Sequence, residues 1–212
     1  MSEPLHTWAA PYRAQVDAWM LAQFEDAWPP RFQAACRYPL ETGGKRMRAL
    51  LVCAAAEAVG HSVTDTIIGV AGAIELVHGY SLVHDDLPSM DNDAERRGRP
   101  TVHIAFDAAT AVLVGDAMLT AAFAALSRLP APAGVRSDLV GELAVGAGHR
   151  GMIGGQAADI GLGGLVRDLD ALVRLHRGKT GALIQASVRM GAIVSEADAA
   201  SRRRSSSRLV QR

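Results

Sequence analysis

Between Ala108 and Leu126 the chain carries an apolar run long enough to cross a membrane, and Asp116 stands near its centre. A carboxylate at that depth would cost roughly 3 kcal/mol in a bilayer, so the run reads instead as a buried helix of a large helical bundle. The rest of the sequence agrees. Hydrophobic residues make up 49% of the chain and aromatics only 5%. A chain so rich in Ala favours helices, because Ala loses no side-chain entropy on entering one. No alternating strand pattern lasts more than a few residues, and 212 residues suffice for one sizeable core. The expectation is an all-α fold with no internal repeat and no linker.

Helical spacing covers residues 4–37, with a break at Pro29-Pro30. A second helix is expected from Arg46 to Val59, stopping at Gly60, and a third from Thr64 to Asp85. Further helices are expected over 107–127, 138–158 and 168–192, separated by joints such as Pro130-Ala131-Pro132. The segment Ser201–Arg212 differs: it holds five arginines, four serines and no acid, lacks an apolar face, and is expected to be disordered.

Lys plus Arg equals Asp plus Glu, 22 against 22, so the chain has no overall charge bias towards nucleic acid or membrane surfaces. Cys36 and Cys53 lack metal-ligand spacing and read as reduced core thiols, which suits the cytoplasm. No signal peptide is visible.

Chemistry concentrates in His84-Asp85-Asp86-Leu87-Pro88-Ser89-Met90-Asp91-Asn92-Asp93. Carboxylates this dense repel one another unless cations neutralise them, and hard oxygen ligands suit Mg²⁺. A solvated helix end explains an acidic cluster too. Arg96-Arg97-Gly98-Arg99-Pro100 follows, a stiff basic loop able to clamp phosphates, although charge-alternating surface loops also arise without function. Upstream, Gly43-Gly44-Lys45-Arg46-Met47-Arg48 opens a helix, with Lys45 and Arg48 three residues apart on one face. His78 lies two turns before Asp85, with Ser81 one turn before it and Tyr80 further round. Gly178-Lys179-Thr180 is no phosphate loop, since Val173 stands where a glycine is required; Lys179 reads as a helix cation facing the same anionic cavity. Gly154-Gly155-Gln156, with Asp159 one turn on, is explained by close helix packing.

In order, GGKRMR, IELVHGYSLVHDDLPSMDND, RRGRPTVH, GDAML, GMIGGQAAD and GKTGALI span about Leu40 to Ala199. Together they resemble the short-chain trans-prenyl diphosphate synthases of the bacterial farnesyl diphosphate synthase type. The resemblance implies an isoprenoid-synthase helical bundle around a central cavity, a partial polyprenyl synthase domain over residues 1–200, Mg²⁺ as cofactor, and a homodimer. It implies condensation of isopentenyl diphosphate with dimethylallyl or geranyl diphosphate, by ionisation, attack and proton loss, to give farnesyl diphosphate. Gly44, Lys45, Arg48, His78 and Arg97 would bind isopentenyl diphosphate. Asp85 and Asp91 would hold Mg²⁺, with Asp86 in the same metal cluster. Arg96, Lys179 and Thr180 would contact the allylic diphosphate, and Lys179 joins the three aspartates as the catalytic set. Tyr80, five positions before the first Asp, would floor the elongation pocket with Ser81 beside it, setting a C15 product.

One departure stands out. The family's second aspartate-rich motif, preceded by Phe-Gln, has no counterpart here; after Thr180 the only carboxylates are Glu196 and Asp198. With the composition changing abruptly at Ser201, the expectation is a bundle incomplete at its C-terminus, ended by a frameshifted or premature reading frame. A non-catalytic partner subunit or an inactive fragment is the alternative reading. A terpene cyclase shares the acidic motif and the fold but has no use for GGKRMR and Arg97.

Overall fold

The computed structural model describes the backbone of residues 3–162, 164 and 168–209, and the side chains of 4–162, 164 and 168–196. In chain order the elements are α1 (Glu3–Ala22), α2 (Pro30–Glu41), α3 (Met47–Ala58), α4 (Asp65–Asp85), β1 (Glu95–Arg96), β2 (Arg99–Pro100) and α5 (Val102–Ala105). They continue as α6 (Ala108–Ser127), α7 (Ala133–Ala147), α8 (Met152–Asp159), α9 (Leu169–His176), a π-turn (Arg177–Gly181) and α10 (Ala182–Leu209). Among the described residues the only strands form a two-stranded antiparallel ribbon that pairs Glu95 with Pro100 and Arg96 with Arg99.

Contacts divide the chain into two compact units, Met1–Met47 with Gly72–Ala125, and Arg48–Ala71 with Leu126–Arg212. The first is built on α1, α2, the C-terminal part of α4, the ribbon and most of α6. Its core includes Val16, Met20, Phe24, Ile74, Leu76, Val77, Tyr80 and Met118. Helix α1 lies so close to α4 that a Cβ on Gly72 would fall 2.1 Å from the Trp19 ring. In the second unit α10 packs along α7, and the π-turn and α9 pack against α8. Leu139, Leu143, Leu183 and Met190 fill its core.

The breaks at Pro29-Pro30 and Gly60 fall where the sequence puts them. Gly60, at φ +85°, takes the left-handed conformation that ends α3. Other joints differ. The single helix expected over 138–158 is two, α7 and α8, because the chain turns through Gly148–Gly151; there a Cβ on Gly151 would meet the Gly146 carbonyl oxygen at 2.2 Å. The helix expected over 168–192 contains the π-turn, where the Ala182 amide reaches back five residues to the Arg177 carbonyl. The expectation of disorder over 201–212 meets a helical backbone as far as Leu209, and 210–212 lie outside the described residues.

Two helices, Asp65–Asp85 and Ala108–Ser127, are long and apolar enough to cross a membrane by length and composition. The most apolar stretch of α4 is 72% buried within the protein. Burial of α6 is one-sided: Ala111, Val114, Met118 and Ala122 form a buried stripe, while Val112, Leu113 and Asp116 face outward. The helix expected to be buried in a bundle is thus buried along one face. Cys36 and Cys53 are free and buried, and burial pushes their thiols up to about 11 and about 12.

Candidate functional site

In the first unit, α4 ends in the acidic cluster. Beyond Asp85 the loop folds back, with the Asp91 amide donating to the Asp85 carbonyl at 2.8 Å and the Asn92 amide to the Leu87 carbonyl at 3.1 Å. Asn92 takes the left-handed conformation at φ +53° to make this turn. The fold-back returns Asp91 to the C-terminus of α4, with Asp85 half-buried and Asp91 exposed. This is the negative end of the helix dipole, which two carboxylates make worse and a cation would relieve.

Asp86 is different. It is only 3% exposed, and Arg96 grips it with Nε at 2.9 and 3.0 Å from its two oxygens and Nη2 at 2.6 Å from Oδ1. These hydrogen bonds, above all, hold the Arg96 guanidinium above its ordinary pKa. A second carboxylate, Asp93, lies 3.6 Å from the same Nη2.

The basic loop is a hairpin with Arg97-Gly98 at its tip. Both residues have positive φ, +55° and +77°, as a two-residue type I′ connection requires. Arg97 bears a left-handed backbone that costs a non-glycine residue about 1–2 kcal/mol. Its Nη1 donates to the Gly43 carbonyl, and a Cβ on Gly44, at φ +150°, would fall 2.6 Å from Nη1. Glycine at 44 thus lets the guanidinium lie against the turn. Burial first, and the neighbouring Arg46 second, draw Arg97 below its ordinary pKa.

Arg46, a residue with no separate role expected of it, is turned inward. Its side chain is only 6% exposed; Nε donates to Asp17 Oδ1 at 2.5 Å and Nη2 to the Leu40 carbonyl at 2.9 Å. Lys45 beside it is exposed. A cavity of about 40 Å³ is lined by Tyr38, Arg46, Glu75, His78, Arg96 and Arg97, among others. That is room for a few waters. The stripe of α4 lining it is Glu75, His78, Gly79, Leu82, Val83 and Asp86, so His78 shares this cavity with Asp86 and not with Asp85. The Ser81 hydroxyl turns back to the His78 carbonyl at 2.9 Å. Tyr80 is buried edge-on to His84, ring centroids 5.7 Å apart, and its hydroxyl has no hydrogen-bond partner among the described residues. Burial, and secondarily Asp85, raises the Tyr80 phenol above its ordinary pKa.

Three of the anticipated residues belong to the second unit. Arg48 is half-buried on α3, Thr180 is exposed on the π-turn, and Lys179 is ion-paired with Asp159. The turn that presents Lys179 rests on α8, since a Cβ on Gly155 would fall 2.0 Å from the Lys179 amide nitrogen. This close approach is the packing anticipated for Gly154-Gly155.

Among the described residues, no three His, Cys, Asp or Glu side chains gather closely enough to chelate a metal by themselves. Mg²⁺ does not require that: it commonly keeps several waters and takes one or two carboxylates together with substrate phosphates. Asp85 and Asp91, solvent-accessible and brought to one helix end, fit that demand.

The polyprenyl synthetase family model matches residues 29–211. The chain is 49% identical over 174 residues to a probable farnesyl diphosphate synthase of Sinorhizobium fredii, covering 82% of this chain and 52% of that protein. It is 49% identical over 160 residues to the farnesyl diphosphate synthase of Escherichia coli, covering 74% and 53%. It thus spans about half the length of the curated relatives it matches. Among solved structures, an apo FPP/GFPP synthase from Zymomonas mobilis superposes with a TM-score of 0.85 at 40% identity, over 92% of this chain and 72% of that one. A geranyltransferase from Helicobacter pylori, complexed with magnesium and isoprenyl diphosphate, gives 0.79 at 33% identity, over 92% and 67%. These likenesses bear out the all-α fold.

Proposed function

This chain belongs to the polyprenyl synthetase family, and from that premise we propose that it is built to join isopentenyl diphosphate to an allylic diphosphate, dimethylallyl or geranyl, giving farnesyl diphosphate. The observation that carries this reading is the fold-back of Asp91 onto Asp85 at the end of α4, followed in the chain by the Arg96-Arg97 hairpin. Anion-rich and cation-rich elements in succession suit a metal-bound diphosphate. The same premise supports a homodimer in the cytoplasm.

Asp85 and Asp91 would hold Mg²⁺. When bound, the metal offsets the diphosphate charge and makes it a better leaving group. Arg96, kept charged and oriented by Asp86, and Lys179 and Thr180 would meet the allylic diphosphate. Gly44, Lys45, Arg48, His78 and Arg97 would serve isopentenyl diphosphate. As the allylic C–O bond breaks, the alkene of isopentenyl diphosphate supplies the electron pair for the new C–C bond. Loss of a proton then restores a double bond. Tyr80, Val83 and Leu87, buried around the end of α4, help exclude the water that would quench the cation.

Incubating the purified chain with Mg²⁺, geranyl diphosphate and labelled isopentenyl diphosphate tests this; labelled farnesyl diphosphate is the expected product. The alternative reading is a non-catalytic partner subunit. It predicts no product from the folded chain alone and co-purification of a longer homologue.

A further inference from the structure

We propose that Asp17 is a positioning residue for the Gly43-Gly44-Lys45 turn, acting through Arg46. The proposal rests on the reading of that turn as part of the isopentenyl diphosphate site. Asp17 lies on α1, outside the stretch that matches the family model (29–211), and no motif of the sequence contains it. It accepts from the buried Arg46 at 2.5 Å, whose backbone is held at φ +47° and whose Nη2 ties to the Leu40 carbonyl at the end of α2. Arg46 therefore spans from α1 to α2 beneath the turn, and its own backbone is the next link after Lys45.

The turn is held from its other side by Arg97, which donates to the Gly43 carbonyl and lies against Gly44. Two guanidinium groups so near each other repel, and Arg46 does depress the Arg97 pKa, while Glu75 and Asp17 oppose that depression. Asp17 thus does two things at once. It satisfies a buried cation, and it allows a second cation to stay against the turn. Without its charge Arg46 has reason to leave its burial, and with it go the φ of residue 46, the direction of Lys45 and the seat of Arg97.

The experiment compares wild type, Asp17→Asn and Asp17→Glu by hydrogen–deuterium exchange of peptides covering residues 41–48, and by calorimetric titration with isopentenyl diphosphate. Asp17→Asn should speed exchange at Gly43–Lys45 roughly tenfold and weaken binding by a similar factor. Asp17→Glu, which keeps the charge, should restore both, a rescue that a purely packing role would not give. Unchanged exchange in Asp17→Asn overturns the proposal whether or not the ligand binds. Equal binding by wild type and Asp17→Asn overturns its ligand half. If wild type itself does not bind, the functional reading falls and the ligand half with it, while the exchange data still decide whether Asp17 holds the turn.

Discussion

Arg96 and Asp86 form an unequal pair: three hydrogen bonds join them, yet the carboxylate is 4% exposed and the guanidinium 32%. Removing either partner therefore has different consequences. Arg96→Ala strands a buried carboxylate and should destabilise by about 3 kcal/mol. Asp86→Asn leaves a guanidinium that can turn to water, and should cost about half as much. Urea denaturation of both variants checks the order; a larger loss for Asp86→Asn would contradict it.

Tyr80 buries a hydroxyl that finds no partner among the described residues. Deleting only that hydroxyl, as Tyr80→Phe, should leave stability unchanged or raise it by up to about 1 kcal/mol. Chemical denaturation measures this directly, and a clear loss would mean that the phenol is hydrogen-bonded in solution.

Truncating the same side chain addresses product length. If Tyr80 floors the elongation pocket, Tyr80→Ala in an active enzyme should yield prenyl chains longer than C15. Product chromatography reads this, and an unaltered profile would remove Tyr80 from that role.

Two glycines should respond in opposite directions to the same change. A Cβ at 155 collides with backbone 2.0 Å away, whereas one at Gly141, inside α7, meets nothing within 4 Å. Gly155→Ala should cost about 1–3 kcal/mol through forced separation of α8 from the π-turn. Gly141→Ala should add roughly 0.5–1 kcal/mol from helix propensity. Thermal unfolding midpoints give both signs.

The buried thiols set a limit at high pH. In the unfolded chain they lose protons near the ordinary 9.0, whereas in the native state they hold them to about 11 and about 12. The native state binds more protons over that window, so stability should fall as pH rises above about 9. Replacing both with Ser should flatten the decline in a pH series of denaturation curves. Below pH 9 the native thiols should react slowly with iodoacetamide.

Much of the fold was legible because helix ends are written locally, as at Pro29-Pro30 and Gly60. The chain reversal at Gly148–Gly151 was legible in principle, since glycine recurs at 146, 148 and 151, but apolar spacing on both sides favoured one long helix. Asp86 could not be separated from Asp85 and Asp91 by composition. Only burial and the Arg96 hairpin distinguish it. Nor could Arg46 be told from Lys45 and Arg48, because its inward direction depends on a left-handed backbone and on Asp17, 29 residues away. Local signals specify elements; the choice among like charges is made by tertiary contact.

Along α9 and α10 the buried residues Leu175, Leu183 and Met190 are spaced eight and then seven apart. In an unbroken α-helix a spacing of eight would swing Leu183 about 80° off the line of Leu175, against about 20° for seven. The π-turn between them absorbs the surplus residue, so both intervals act as sevens and the apolar seam runs straight. What looks like a defect in the ladder is thus a phase corrector. It seats the extra length against α8, where the Lys179 ammonium meets Asp159, on a rod whose inner edge never loses step.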